Sequence, residues 1–331
     1  MRHENLIEVT DLELHFQIGK KGLFGGKDVF VRAVDNISFD IKRGQTLGLV
    51  GESGSGKTTV GRTLLRAYKP TGGSATFHTS DGPVDLVTLE GKELRKFRPH
   101  MQMVFQDPYA SLNPRMTVRD IIAEPLIANG LVTDKDEVDE MVRAIAERCK
   151  LNLEHLRRFP HAFSGGQRQR ICIARALIGK PEFVVCDESV AALDVSIQAE
   201  IINLLKDLQE ELGVTYLFIA HDLSIVAQIS DMVAVMYVGQ IVEMAPTNRI
   251  FTSPKHPYTK ALLSAIPRPD PDIEFHPERL EGEIPNPTQV PSGCRFHTRC
   301  PMAKELCRME APSWRQMGED HHTACHYAEE V

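Results

Sequence analysis

The chain has 331 residues, 42% of them hydrophobic, and a formal net charge of -7. That length predicts about two domains with a real core, and the acidic balance gives no global reason to expect a nucleic-acid partner. No run of about 18 apolar residues occurs, which argues against a membrane-spanning helix. The start, MRHENLIEVTD, lacks the apolar core of a signal peptide, so the expected place of the protein is the cytoplasm.

Short apolar runs then alternate with amphipathic patterns as far as about residue 250. LGLV (47–50), FVVC (183–186), YLFI (216–219) and VAVMY (233–237) read as buried strands. Between them Val138, Met141, Val142, Ile145 and Cys149 keep helical spacing, as do Ile197, Ile201, Leu204, Leu205, Leu208 and Leu212. Strands separated by helices predict an α/β core with a parallel sheet. Residues 19–29, GKKGLFGGKDV, read as a solvated connection. Beyond residue 250, nine prolines from Pro254 to Pro291 break any long element and predict an extended tail. Cys149, Cys172 and Cys186 are expected as small core residues.

The stretch GESGSGKTTV (51–60) follows the first of these strands. It fits G-x-x-x-x-G-K-[ST] through Gly51, Gly56, Lys57 and Thr58. Gly51, Gly54 and Gly56, spaced by Ser53 and Ser55, let a loop turn its N–H groups inward on an anion. A helix continuing from Thr59 to Ala67 adds the positive end of its dipole. Lys57 is expected on the β and γ phosphates and the Thr58 hydroxyl on Mg²⁺. FVVCDES (183–189) is an apolar strand ending in two acids. After a phosphate loop in one α/β unit, Asp187 suits the Mg²⁺ and Glu188 the polarising of water. FSGGQRQR (163–170) offers a second anion-binding helix start, with Ser164, Gly165 and Gly166 ahead of Gln167.

One ATP needs one phosphate loop, and this chain carries two phosphate-binding surfaces. The second resembles the signature motif of ATP-binding-cassette ATPases, with Phe163 where leucine is commoner. In that family the signature completes the site of the opposite subunit, and two ATPs lie between two cassettes. The other family pieces follow in order. Gln106 in VFQDP matches the glutamine that touches the metal and senses the membrane partner. Leu193-Asp194 in VAALD matches the loop that crosses the dimer interface. His221 in FIAHD matches the histidine that holds the γ-phosphate and the attacking water. Phe16 in LELHFQI stands where an aromatic stacks on adenine, with Phe30 as its rival. Ser189 and Ala191 depart from the family's proline and serine beside Glu188.

The resemblance implies an α/β P-loop ATP-binding-cassette domain over residues 1–250, with a helical subdomain at about 108–180. Residues 251–331 would be a C-terminal extension. VFQDPYASLNPRMTV (104–118), FPHAFSGGQRQRICIARAL (159–177), ALDVSIQAE (192–200), KHPYTKALLSAIP (255–267) and VPSGCRFHTRCP (290–301) are similar to oligopeptide and dipeptide importer ATPases. The similarity is greatest to the second of the two ATPase subunits in oligopeptide importers. It implies an ATPase that powers peptide import, partnered by a second cassette subunit in a heterodimer. Two membrane permeases and an extracytoplasmic peptide-binding protein would complete the complex, with no nucleic acid, on the cytoplasmic face of the inner membrane. Nickel, glutathione or another small solute is the alternative cargo. A soluble non-transport cassette ATPase is the rival class, although only one phosphate loop and one signature occur.

Cys294, Cys300, Cys307 and Cys325 are separated by five, six and seventeen residues. Common zinc sites pair cysteines as C-x-x-C, unlike this spacing, and a reducing cytosol disfavours disulfides. Irregular spacing with a proline after Cys300 suits an iron–sulfur cluster. In similar importer subunits the pattern accompanies a [4Fe-4S] centre. Structural zinc, with His326 as a further ligand, is the second reading, and unligated thiols the third. His321 and His322 are expected in solvent.

Overall fold

The computed structural model describes residues 4–19, 28–266, 278 and 280–331. Most of the glycine- and lysine-rich stretch 19–29, and Pro267, Pro269, Pro271 and Pro277, lie outside the described residues. The chain divides into two compact units that are interleaved in sequence. One takes residues up to Leu6, Ile41–Thr46 and His78–Ile219. The other takes Ile7–Asp40, Leu47–Phe77 and Ala220–Val331.

In the first unit, the strand Phe183–Asp187 lies between Met101–Val104 and Thr215–Ile219, parallel to both. Met103 pairs with Val185, and Cys186 pairs with Phe218. All five residues of Phe183–Asp187 are buried, as expected of a parallel strand covered on both faces. The helix Lys135–Arg148 turns Val138, Val142, Ile145 and Ala146 inward. Asp134 caps it by accepting from the N–H groups of Asp136 and Glu137. The helix Val195–Leu212 buries Ile201, Leu204, Leu205 and Leu208, and ends at Gly213 with φ 68°. Cys149, Cys172 and Cys186 are all buried, and desolvation pushes their thiols up, to about 12, 11 and 12. They behave as core residues, as expected.

In the second unit, Thr46–Val50 pairs in parallel with Met232–Tyr237, with Leu49 opposite Ala234. A two-residue turn with positive φ at Val238 (41°) and Gly239 (81°) leads into the antiparallel strand Gln240–Pro246. The C-terminal region then adds strands to that edge. His321–Thr323 pairs with Gln240–Pro246, and Arg315–Gly318 pairs with His321–Thr323. So the expected extended tail contains sheet, and it covers an edge that would otherwise be open. A separate antiparallel sheet places Asn5–Gly19 between Val29–Lys42 and Gly72–Thr79, with Ile7 opposite Phe77.

Candidate functional site

The phosphate loop in the second unit links the buried strand Thr46–Val50 to the helix Lys57–Leu64. Two of its glycines are dictated by space. A Cβ on Gly51 would stand 2.1 Å from the Met236 carbonyl oxygen, and one on Gly56 would stand 2.1 Å from that of Ala33. Both also have positive φ, 150° and 108°. The helix begins with no side-chain cap, which leaves its start suited to an anion. Lys57, only 4% exposed, donates to the carbonyl oxygens of Gly51 (2.7 Å) and Glu52 (2.9 Å) and to Ser55 Oγ (3.5 Å). Its ammonium is therefore held inside the curve of the loop. Ser53 and Gly54 are exposed at the tip, and Thr58 and Thr59 lie half-buried in the first helical turn. His221 is exposed just before the helix Leu223–Ile229. Phe16 is half-buried, with its ring edge-on to Tyr68 at 5.3 Å, whereas Phe30 is 43% exposed.

In the first unit, Asp187 ends its strand almost fully buried. Glu188 follows at φ 46°, a left-handed conformation that a non-glycine residue seldom adopts. Its N–H donates to the Ile219 carbonyl at 2.9 Å. Gln106 Nε2 donates to Glu188 Oε2 at 2.7 Å, so two residues 82 positions apart meet. The second expected anion site is the start of the helix Gly165–Leu177, two residues earlier than Gln167. There Ser164 Oγ accepts from the Gln167 N–H, and Gln167 Oε1 accepts from the Ser164 N–H, forming a capping box. A Cβ on Gly166 would stand 2.6 Å from Ile197 Cγ2, so glycine there allows close approach of the helix Val195–Leu212.

The late cysteines are brought together. Cys294, Cys300, Cys307 and Cys325 line one cavity with His256, Phe296 and His326. Its free volume is about 20 Å³, room for roughly one water-sized body. Burial, and after it the neighbouring thiols, push Cys294 and Cys300 up to about 11. Among the described residues, no three His, Cys, Asp or Glu side chains are arranged to hold one metal ion. His326 Nε2 donates to the Glu310 carbonyl oxygen at 2.9 Å.

His321 corrects an expectation. It is buried rather than solvated, with Nε2 2.8 Å from Glu243 Oε1. Glu243, with no exposed surface, also accepts from the N–H groups of Lys255 (2.6 Å) and His256 (3.0 Å). His322, half-buried, stacks on Trp314. Sequence reading also missed Glu52, Tyr258, Arg295 and Arg299. Arg295 pairs with Asp35, and Arg299 with Glu52. The only hint of Arg295 and Arg299 was their place beside the cysteines.

Comparison with known proteins agrees with this layout. A family model described as ABC transporter matches residues 34–191. Another, for the C-terminal region of oligopeptide/dipeptide transporters, matches residues 242–307. The putative oligopeptide transport ATP-binding protein YkfD of Bacillus subtilis (strain 168) is 50% identical, over 98% of this chain and 96% of its own. The oligopeptide transport ATP-binding protein OppF of the same organism is 54% identical, over 82% and 85%. A solved dimer of the cassette MJ0796 with ADP and Pi superposes with TM-score 0.63 at 26% identity, covering 73% of this chain and 98% of that one. No helix among the described residues is long and apolar enough to cross a membrane. The chain belongs to the ATP-binding-cassette transporter ATPases, in the branch that carries the oligopeptide/dipeptide transporter C-terminal region.

Proposed function

We propose that this chain is an ATP-hydrolysing subunit that powers peptide import through a membrane transporter. The observation that carries the reading is the extent of the likeness. It continues past the cassette into residues 242–307 and spans 96% of a relative named for oligopeptide transport. The partners in this reading are a second cassette subunit, two permeases and an extracytoplasmic peptide-binding protein. The location is the cytoplasmic face of the inner membrane. In functional terms residues 1–250 form the cassette, with the helical stretch near 108–180 facing the permeases, and 251–331 form the extension. Phe105 and Tyr109, 41% and 62% exposed on either side of Gln106, supply apolar surface for such a contact.

The residues present suit ATP and Mg²⁺. Lys57 with the N–H groups of residues 51–59 binds and orients the phosphates, and Phe16 is assigned to adenine. Thr58, Gln106 and Asp187 are assigned to Mg²⁺, which would neutralise charge on the phosphates. Glu188 takes a proton from the attacking water, and its bond from Gln106 aims the carboxylate. His221 orients that water. Ser164, Gly165, Gly166 and Gln167 serve the nucleotide held by the partner cassette.

The four cysteines are read as ligands of a [4Fe-4S] cluster, with zinc as the alternative. Four thiols around one cavity support a shared group, although loading would have to widen it. Cys294, Cys300, Cys307 and Cys325 would hold the group, which would supply folding free energy to this region. Affinity purification from native membranes tests the assembly. Recovery of two permeases and a second cassette is expected. Recovery with ribosomes or DNA alone would favour the soluble rival.

A further inference from the structure

Within the second unit, the phosphate loop is held by the C-terminal region. Glu52, the second residue of the loop, receives both arms of Arg299: Nη1 to Oε2 at 2.6 Å and Nη2 to Oε1 at 3.0 Å. Arg299 is 7% exposed and Glu52 27%, so this bidentate pair is shielded better than a surface ion pair. The Glu52 N–H donates to the Tyr258 hydroxyl at 2.8 Å, and its carbonyl accepts from Lys57. One loop residue is therefore tied at its carboxylate, its N–H and its carbonyl, and the first two ties come from more than 200 residues further along the chain.

The ties are braced. Tyr237, Tyr258 and Phe296 are fully buried; Tyr237 packs edge to face on Tyr258 and Phe296 at 4.7 and 5.2 Å between centroids, and Tyr258 and Phe296 meet at a tilt at 5.3 Å. The Arg299 guanidinium lies 5.9 Å from the Tyr237 ring centroid. Phe296 also forms a wall of the cysteine cavity, and Cys300 is the next residue after Arg299.

We infer that Arg299 and Tyr258 are positioning residues for the phosphate loop, so that the C-terminal region sets this subunit's affinity for nucleotide. The inference rests on the reading that residues 51–58 bind phosphate. Two physical effects act together. A loop with three glycines has wide backbone freedom, and fixing Glu52 removes part of it before ATP arrives. Glu52 also places a carboxylate in a loop built for anions, and Arg299 neutralises it.

Binding of a fluorescent ATP analogue with Mg²⁺ to the full chain tests this. Arg299→Ala should weaken it roughly tenfold, the scale of a lost hydrogen bond to a charged group. Arg299→Lys should fall between, because lysine keeps the charge and loses the fork. Tyr258→Phe removes only the hydroxyl, keeps the packing, and should weaken binding roughly fivefold. Adding Glu52→Gln to Arg299→Ala should restore most of the affinity, a rescue that general loosening of the fold would not give. Arg315→Ala breaks the pair with Glu329 in the same region and should leave affinity unchanged. Lys57→Ala should abolish binding; if it does not, the phosphate-loop reading itself fails. If Lys57→Ala abolishes binding while Arg299→Ala and Tyr258→Phe stay within twofold of the parent, or Arg315→Ala weakens binding as much as they do, the positioning role is overturned.

Discussion

Glu188 is held in a backbone conformation that costs an ordinary residue about 1–3 kcal/mol. Its N–H bond to Ile219 and its carbonyl bond from Ala191 (3.1 Å) fix the turn. Gln106 then fixes the carboxylate. A side chain held this way suits a positioned base. Glu188→Gln keeps the shape and removes the base, so nucleotide binding should persist while turnover drops roughly 10²–10⁴-fold. Phosphate release from the assembled complex checks this, and near-normal turnover would remove Glu188 from the role. The places of Lys57 at the start of its helix and of Asp187 and Glu188 at the end of a buried strand were legible, because they follow from residue type at fixed spacing. The support of Glu52 was not, since Arg299 and Tyr258 reach it from far along the chain and belong to no local pattern.

At the scale of elements, the buried strands of the parallel sheet were legible as continuous apolar runs. The N-terminal strand Asn5–Gly19 was harder to read. Its pairing shifts register between Thr10 and Glu13, and Asp11 sits at φ 48°, so the alternation of buried residues is broken by a bulge. The strands Arg315–Gly318 and His321–Thr323 have four and three residues, too few for a period to show. His321 was misread for a related reason: its partner Glu243 lies 78 residues away. The helix Pro257–Ser264 carries a pH dependence of its own. His256 caps it by accepting the Tyr258 N–H at Nδ1, 3.1 Å away. Burial lowers this histidine from its ordinary 6.5 to about 3. Between those values the unfolded chain binds the proton and the folded chain does not. The stability tied to neutral His256 is therefore complete above about pH 6.5 and falls as the pH drops, by at most about 1.4 kcal/mol per pH unit. His256→Asn keeps an acceptor at the cap and does not titrate in this range. Its urea midpoint should fall less than that of the parent between pH 7 and pH 5. Equal falls would contradict the assignment.

For the molecule as a whole, the C-terminal region joins the sheet edge, carries the cysteine cavity and grips the phosphate loop. Cys300→Ser or Cys307→Ser should therefore have two effects. Protein purified without oxygen should lose its broad absorbance near ~400 nm, which cysteine-ligated iron and sulfide would give. Residues 290–331 should become more open to protease, and ATP binding should weaken but persist. Colourless anaerobic parent protein containing stoichiometric zinc would replace the cluster with the zinc reading. Peptide-driven turnover can be followed as ATP hydrolysis by the purified complex in a lipid bilayer, with and without a peptide-loaded binding protein on the opposite face. The loaded binding protein should accelerate hydrolysis, and Glu188→Gln in this subunit should remove most of the acceleration. Hydrolysis that ignores peptide and binding protein alike would contradict the import function.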